Sequence, residues 1–97
     1  MAVNRRRDRH EIVADILNYA TRGKIKTHIM YRAKLAYSQL IEYLPLLVEK
    51  GFLEGMTVKN GKQLTVMYRT TKKGIEFINR LESLNELWES REPSLMK

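Results

Sequence analysis

Two histidines and no cysteine are all that this 97-residue sequence offers for metal or thiol chemistry. Neither His10 nor His28 lies at i, i+4 spacing from another ligand, and first-row metals favour clusters of His and Cys, so no metal site is expected. No Ser stands beside a recognisable base, and the five glycines are scattered as caps and turns, so neither a nucleophile nor a phosphate-cradling loop is indicated. Glu86 and Glu89 fall on a polar helix face, where a solvated surface is the ordinary explanation. The chain reads as a non-enzyme without a cofactor. It does carry Ser38, Gln39, Glu42 and Tyr43 within one helical pattern. Arg32 and Lys34 precede them; Lys59, Asn60 and Lys62, then Lys72 and Lys73, follow. Donors and acceptors on one helix face can read base edges, and flanking cations can hold phosphates. His28 is either a further phosphate contact or simply exposed.

Charge supports a polyanionic partner. The net charge is +7 and the pI about 9.9. Residues 1–41 hold nine Lys/Arg against three Asp/Glu, and residues 59–73 hold five against none. Residues 42–58 hold one against three, and residues 74–97 three against five. Basic segments thus alternate with acidic ones. The bland alternative is a generally basic surface that serves solubility. The N-terminal MAVNRRRD has charge without a following apolar run, so no signal peptide is expected, and no apolar stretch approaches membrane-spanning length. A cytoplasmic protein with no membrane partner is expected.

The positioning elements follow from periodicity. Arg5, Arg6, Arg7 and Arg9 form a basic arm leading into the first helix, either a solvated tail or a contact to phosphate or minor groove. Asp8 and Glu11 fit a capping box for a first helix over about Arg9 to Arg22, with Ile12, Val13, Ile16, Leu17 and Ala20 as its apolar stripe and Gly23 as terminator. The stretch Lys26–Phe52 has the pattern of a helix-turn-helix. Thr27 caps a second helix over His28–Lys34, with Ile29, Met30 and Ala33 inward. Lys34–Leu35–Ala36 is the turn, and a third helix runs from about Tyr37 to Lys50 before Gly51 and Phe52. In that helix Leu40, Ile41, Leu44, Leu47 and Val48 should be buried, leaving Ser38, Gln39, Glu42, Tyr43 and Leu46 outward. Pro45 deletes one helical hydrogen bond, and a hydrated kink rather than a loop is expected.

Phe52–Val58 and Leu64–Arg69 flank Lys59–Asn60–Gly61–Lys62, where Asn-Gly predicts a type I′ hairpin turn. A hairpin after a helix-turn-helix is a wing, here with lysines at its tip that either serve solubility or hold phosphate. Gly55 suggests a bulge or a close backbone approach. Thr70 or Thr71 caps a last helix running to about Arg91 before Pro93. Lys72 and Lys73 lie in its first turn, where the helix dipole disfavours cations by roughly 0.3–1 kcal/mol each, so a phosphate contact is the reason considered for them. Ile75 and Ile78 should face the core. Phe77, Leu81, Leu84 and Trp88 repeat at the spacing of a coiled-coil seam, expected to join two copies; the alternative is a stripe folded back on the first helix.

These residues resemble those of the small archaeal winged-helix regulators, including the chromatin-associated DNA-binding proteins of about ten kilodaltons. The likeness is carried by Thr27, Ile29, Met30, Tyr31, Ala33, Leu35, Tyr37, Leu40, Tyr43, Leu44, Leu47, Glu49, Lys50 and Gly51, and by Thr71-Lys72-Lys73-Gly74. It covers about Arg9 to Trp88. The resemblance implies a mainly α, α+β winged helix that binds double-stranded DNA as a homodimer through antiparallel C-terminal helices. Ala36 departs from the Ser common in that family, removing a helix cap; Pro45 interrupts the recognition helix; and the coil after Trp88 is shorter than in the longest relatives.

The expected organisation is a basic arm over residues 1–8, a winged-helix domain over 9–71, a dimerising helix over 72–92 and a tail over 93–97. The expected function is a transcription regulator or nucleoid-associated protein. In it the third helix enters the major groove, with Ser38, Gln39, Glu42 and Tyr43 at base edges. Arg32, Lys34, Lys59, Lys62, Lys72 and Lys73 hold the backbone. The rival is a winged helix used as a protein–protein module, with the acidic stretches, Leu46 and the Trp88 seam as partner surfaces.

Overall fold

The computed structural model describes residues 7–90. Its elements are α1 (Arg9–Tyr19), β1 (Lys24–Ile25), α2 (Lys26–Ala33), α3 (Tyr37–Glu49), β2 (Leu53–Asn60), β3 (Gln63–Thr70) and α4 (Lys72–Glu89). The strands form one antiparallel sheet in the order β1-β3-β2. This is the winged helix-turn-helix architecture, mainly α, with a hairpin wing and a long C-terminal helix.

The Asp8 carboxylate accepts the Glu11 N–H at 2.9 Å and starts α1. Ile12, Val13, Ile16 and Leu17 are buried along one face, as their spacing predicts. The helix ends at Tyr19, short of the expected Arg22. The Ala20 carbonyl instead accepts the N–H groups of Gly23 and Thr70, each at 3.0 Å, which turns the chain into the sheet. Next, Lys24 and Ile25 pair with Tyr68 and Met67, so extended backbone runs directly into α2. Ile25, not Thr27, therefore occupies the cap position, without a side-chain bond, and Thr27 lies inside the first turn.

Helices α2 and α3 end with the same hydrogen-bonded wrap. At the end of α3, Gly51 N–H donates to the Val48 carbonyl at 3.0 Å and Phe52 N–H to Leu47 at 2.9 Å, with Gly51 at φ +83°. At the end of α2, Lys34 N–H donates to Tyr31 at 3.3 Å and Leu35 N–H to Met30 at 3.0 Å, and here Lys34 takes the left-handed position at φ 56°. The second wrap drops Leu35 into the core and sets the start of α3. Helix α3 runs unbroken through Pro45. Pro45 is exposed, so water can reach the Ile41 carbonyl that loses its partner.

The core gathers α1, α2, the turn, α3, β2 and α4 through Ile16, Leu17, Ile29, Leu35, Leu40, Leu44, Leu47, Leu53 and Ile78. Burying each of the largest of these stabilises by roughly 1.5–3 kcal/mol. Ile41 and Val48 do not join them: they are 52% and 41% exposed, because the core meets only the narrower arc of Leu40, Leu44 and Leu47. Tyr43, expected outward, is half-buried against the core, and Leu46 is half-buried too. Ile75 is also more exposed than expected, whereas Ile78 is buried.

The hairpin register is continuous from Leu53↔Thr70 to Asn60↔Gln63, so Gly55 makes no bulge. The chain reverses at Gly61–Lys62, one position later than expected, and Gly61 alone has positive φ, at +68°. Glycine first with positive φ is the signature of a type II′ turn, not I′. At the other end, the Thr71 hydroxyl donates to the Gly51 carbonyl at 2.6 Å and accepts the Gly74 N–H at 3.1 Å, capping α4. Helix α4 closes at Glu89; Arg91, Pro93 and the tail lie outside the described residues. A side chain at Gly74 would collide with the Phe52 carbonyl oxygen, so glycine lets α4 pack directly on the chain entering β2.

Candidate nucleic-acid interface

The outer face of α3 is held clear of the core by the buried stripe behind it. Ser38 and Glu42 are exposed there, as expected. Gln39 is half-buried, and its Oε1 accepts the Ala36 N–H at 2.9 Å. Ala36 has no side-chain acceptor, so this is half of a capping box, the half that pairs the cap residue's own N–H. Of the other exposed positions, Tyr37, Ile41, Pro45 and Val48 carry largely apolar side chains, and Glu49 ends the helix.

Cations frame this face rather than stand on it. Arg32 and Lys34 precede the helix at the corner, both exposed, with the Arg32 guanidinium 5.6 Å from the centre of the Tyr19 ring. On the wing, Lys59, Asn60 and Lys62 are all exposed around the Gly61 turn. The ladder pairs Lys59 with Leu64 and Lys24 with Tyr68, and partners across a ladder share a face. A groove lined by Ile25, Lys26, Thr27, Leu64, Val66 and Tyr68 runs along that face to the first turn of α2. Lys24 and Lys26 thus stand beside the wing on the face that also bears Lys59. Sequence reasoning passed over both, because only the two-residue β1, which has no periodicity of its own, brings them there.

Two other predicted contacts, Lys73 and Arg7, have partners inside the fold. The Lys73 ammonium donates to the Lys50 carbonyl at 2.9 Å and lies 5.3 Å from the Phe52 ring centre, completing the end of α3. This partner explains a lysine in the first turn of α4, a placement the helix dipole disfavours. The Arg7 guanidinium pairs with Asp15 at 2.7 Å and donates to the Lys34 carbonyl at 3.1 Å, so it braces α1 against the corner before α3. The Arg69 guanidinium pairs with Glu54 across the sheet at 3.2 Å. Lys72 is exposed; Arg5 and Arg6 lie outside the described residues.

The seam on α4 divides in two. Phe77 packs against Phe52, with ring centres 5.2 Å apart, and against His10 at 6.1 Å, while Leu81 is half-buried. Leu84 and Trp88 are 59% and 85% exposed, and Leu87 beside them is 73% exposed. The first half of the stripe therefore folds back on α1, and the second half stays largely exposed among the described residues.

A family model described as winged helix-turn-helix matches residues 6–89. Among solved structures, the chain is similar to Sso10a-2, a DNA-binding protein from Sulfolobus solfataricus. The two are 28% identical over 86% of this chain and 83% of that one, with a TM-score of 0.74. It is also similar to a PadR family transcriptional regulator from Eggerthella lenta, at 16% identity over 82% and 83% of the two chains and a TM-score of 0.65. At that identity the likeness is one of fold. No curated protein matches the sequence. The matched span and the hairpin-bearing architecture agree, and the chain belongs to the winged helix-turn-helix family.

Proposed function

We propose that this chain is a non-catalytic, double-stranded DNA-binding protein of the transcription-regulator or nucleoid type. In this reading α3 lies in the major groove, and Arg32, Lys34, Lys59 and Lys62 hold the flanking phosphates. The observation that carries it is the outer face of α3, held off the core and framed by a cationic corner before it and a lysine-tipped wing after it. The similarity to a DNA-binding protein across most of both chains supports it. Two copies joined through the exposed Leu84, Leu87 and Trp88 would present two such faces, the usual way this class spans two half-sites. No helix among the described residues is long and apolar enough to cross a membrane, which agrees with a place in the cytoplasm, at the nucleoid. Gel-shift titration of wild type and the Lys59→Ala/Lys62→Ala variant with random duplex, at low and moderate salt, tests the reading. The wild type should bind and the variant bind more weakly; equal binding removes the wing from the interface, and no binding by wild type removes the function.

A further inference from the structure

The exposed face of α3 bears no positive charge. From Tyr37 to Glu49 the helix contains no Lys, Arg or His, and its charged residues are Glu42 and Glu49. Its own charge cannot draw it to DNA, so attraction must come from the flanking cations, and the helix must contribute something other than affinity for phosphate.

Its hydrogen-bonding repertoire is also reduced. Reading adenine through the N6/N7 edge requires both ends of a Gln amide. The Gln39 oxygen is committed to the Ala36 N–H, so that pairing would uncap α3. Glu42 accepts only, and Ser38 is short. Beside Ser38 on the same side of the helix stands Ile41, 52% exposed one turn in, with Leu40 and Leu44 buried next to it. Helix N-terminal turns are the part that reaches base edges in helix-turn-helix proteins. The one apolar group a base pair offers in the major groove is the C5 methyl of thymine.

Resting on the DNA-binding reading above, we infer that Ile41 is a specificity-determining residue that packs on thymine methyl groups. The preferred ligand is then duplex DNA presenting thymines to α3, with sequence read by apolar contact and affinity supplied from outside the helix.

Paired A·T-rich duplexes of identical sequence, one with thymine and one with uracil throughout, test this by fluorescence anisotropy at fixed low salt. Uracil keeps every hydrogen-bonding group and removes only the methyl. Wild type should bind the uracil duplex about fourfold more weakly for each methyl covered. The Ile41→Ser variant should bind both duplexes alike, at about the wild-type affinity for uracil. The exposed position leaves the core intact, and a circular-dichroism melt checks the fold. Equal wild-type affinity for both duplexes overturns the inference while leaving DNA binding in place. A thymine preference that survives in Ile41→Ser overturns the assignment to Ile41. Failure of wild type to bind either duplex removes the DNA reading and this inference with it.

Discussion

The Thr70 hydroxyl donates to the Leu17 carbonyl at 2.6 Å, joining the last residue of β3 to the closing turn of α1. Leu17 lies among the last four helical carbonyls, which have no partner within the helix, and both residues are buried. The base of the wing is thereby pinned to the helical layer. Thr70→Val keeps the shape but leaves that carbonyl unpaired, and should cost about 1–3 kcal/mol in urea unfolding. Thr70→Ser should keep most of the stability. If the valine variant unfolds at the wild-type midpoint, the bond contributes nothing.

The start of α3 can be improved. Ala36 already has extended backbone, φ −72° and ψ 157°, as a helix cap requires, and Gln39 bonds back to its N–H. The Gln39 N–H now reaches only the Ala36 carbonyl, at 3.0 Å, and Ala36→Ser would add a side-chain acceptor for it and complete the box. A gain of about 1 kcal/mol is expected in chemical denaturation. No gain would mean that the half-box already satisfies the helix start.

The wing lysines should be visible in the salt dependence of DNA binding. Each phosphate neutralised adds about 0.9 to the magnitude of the slope of log K against log salt, so Lys59→Ala/Lys62→Ala should make that slope shallower by about 1.8. The loss should be the same for duplexes of different sequence, since phosphate contacts carry no base information. A slope that does not change places both lysines away from the backbone.

The exposed end of α4 predicts the mass in solution. With Leu84, Leu87 and Trp88 all more than half exposed, the distal helix is expected to bury them against a second copy. Light scattering should give twice the chain mass for wild type, and a lower mass for Trp88→Ala at the same concentration. An identical mass for the two proteins would move the contact elsewhere.

Much of the fold is legible in the sequence because its signals are local. Asp8, Thr71 and Gly51 each cap a helix through atoms within a few residues, and the wing follows from two β-rich runs around a glycine. What escapes sequence reading depends on distant partners. Ile41 and Val48 extend the apolar stripe of α3, yet the core is narrower than the stripe. Asn-Gly marks the hairpin without deciding whether Asn60 enters the ladder, and pairing with Gln63 draws it in. Among the candidate contacts, Gln39, Lys73 and Arg7 find backbone partners inside the fold, whereas Ser38, Glu42, Lys59 and Lys62 remain outward.

Lys34 holds a left-handed backbone where glycine would sit without steric cost. The crowding amounts to roughly 1–2 kcal/mol, offset in part by the greater freedom glycine would have in the unfolded chain. Lys34→Gly should therefore leave the melting temperature level or raise it, while weakening retention on duplex. Heat tolerance and hold on a polyanion pull against each other at this one corner, and a screen that rewarded only the first would discard the second.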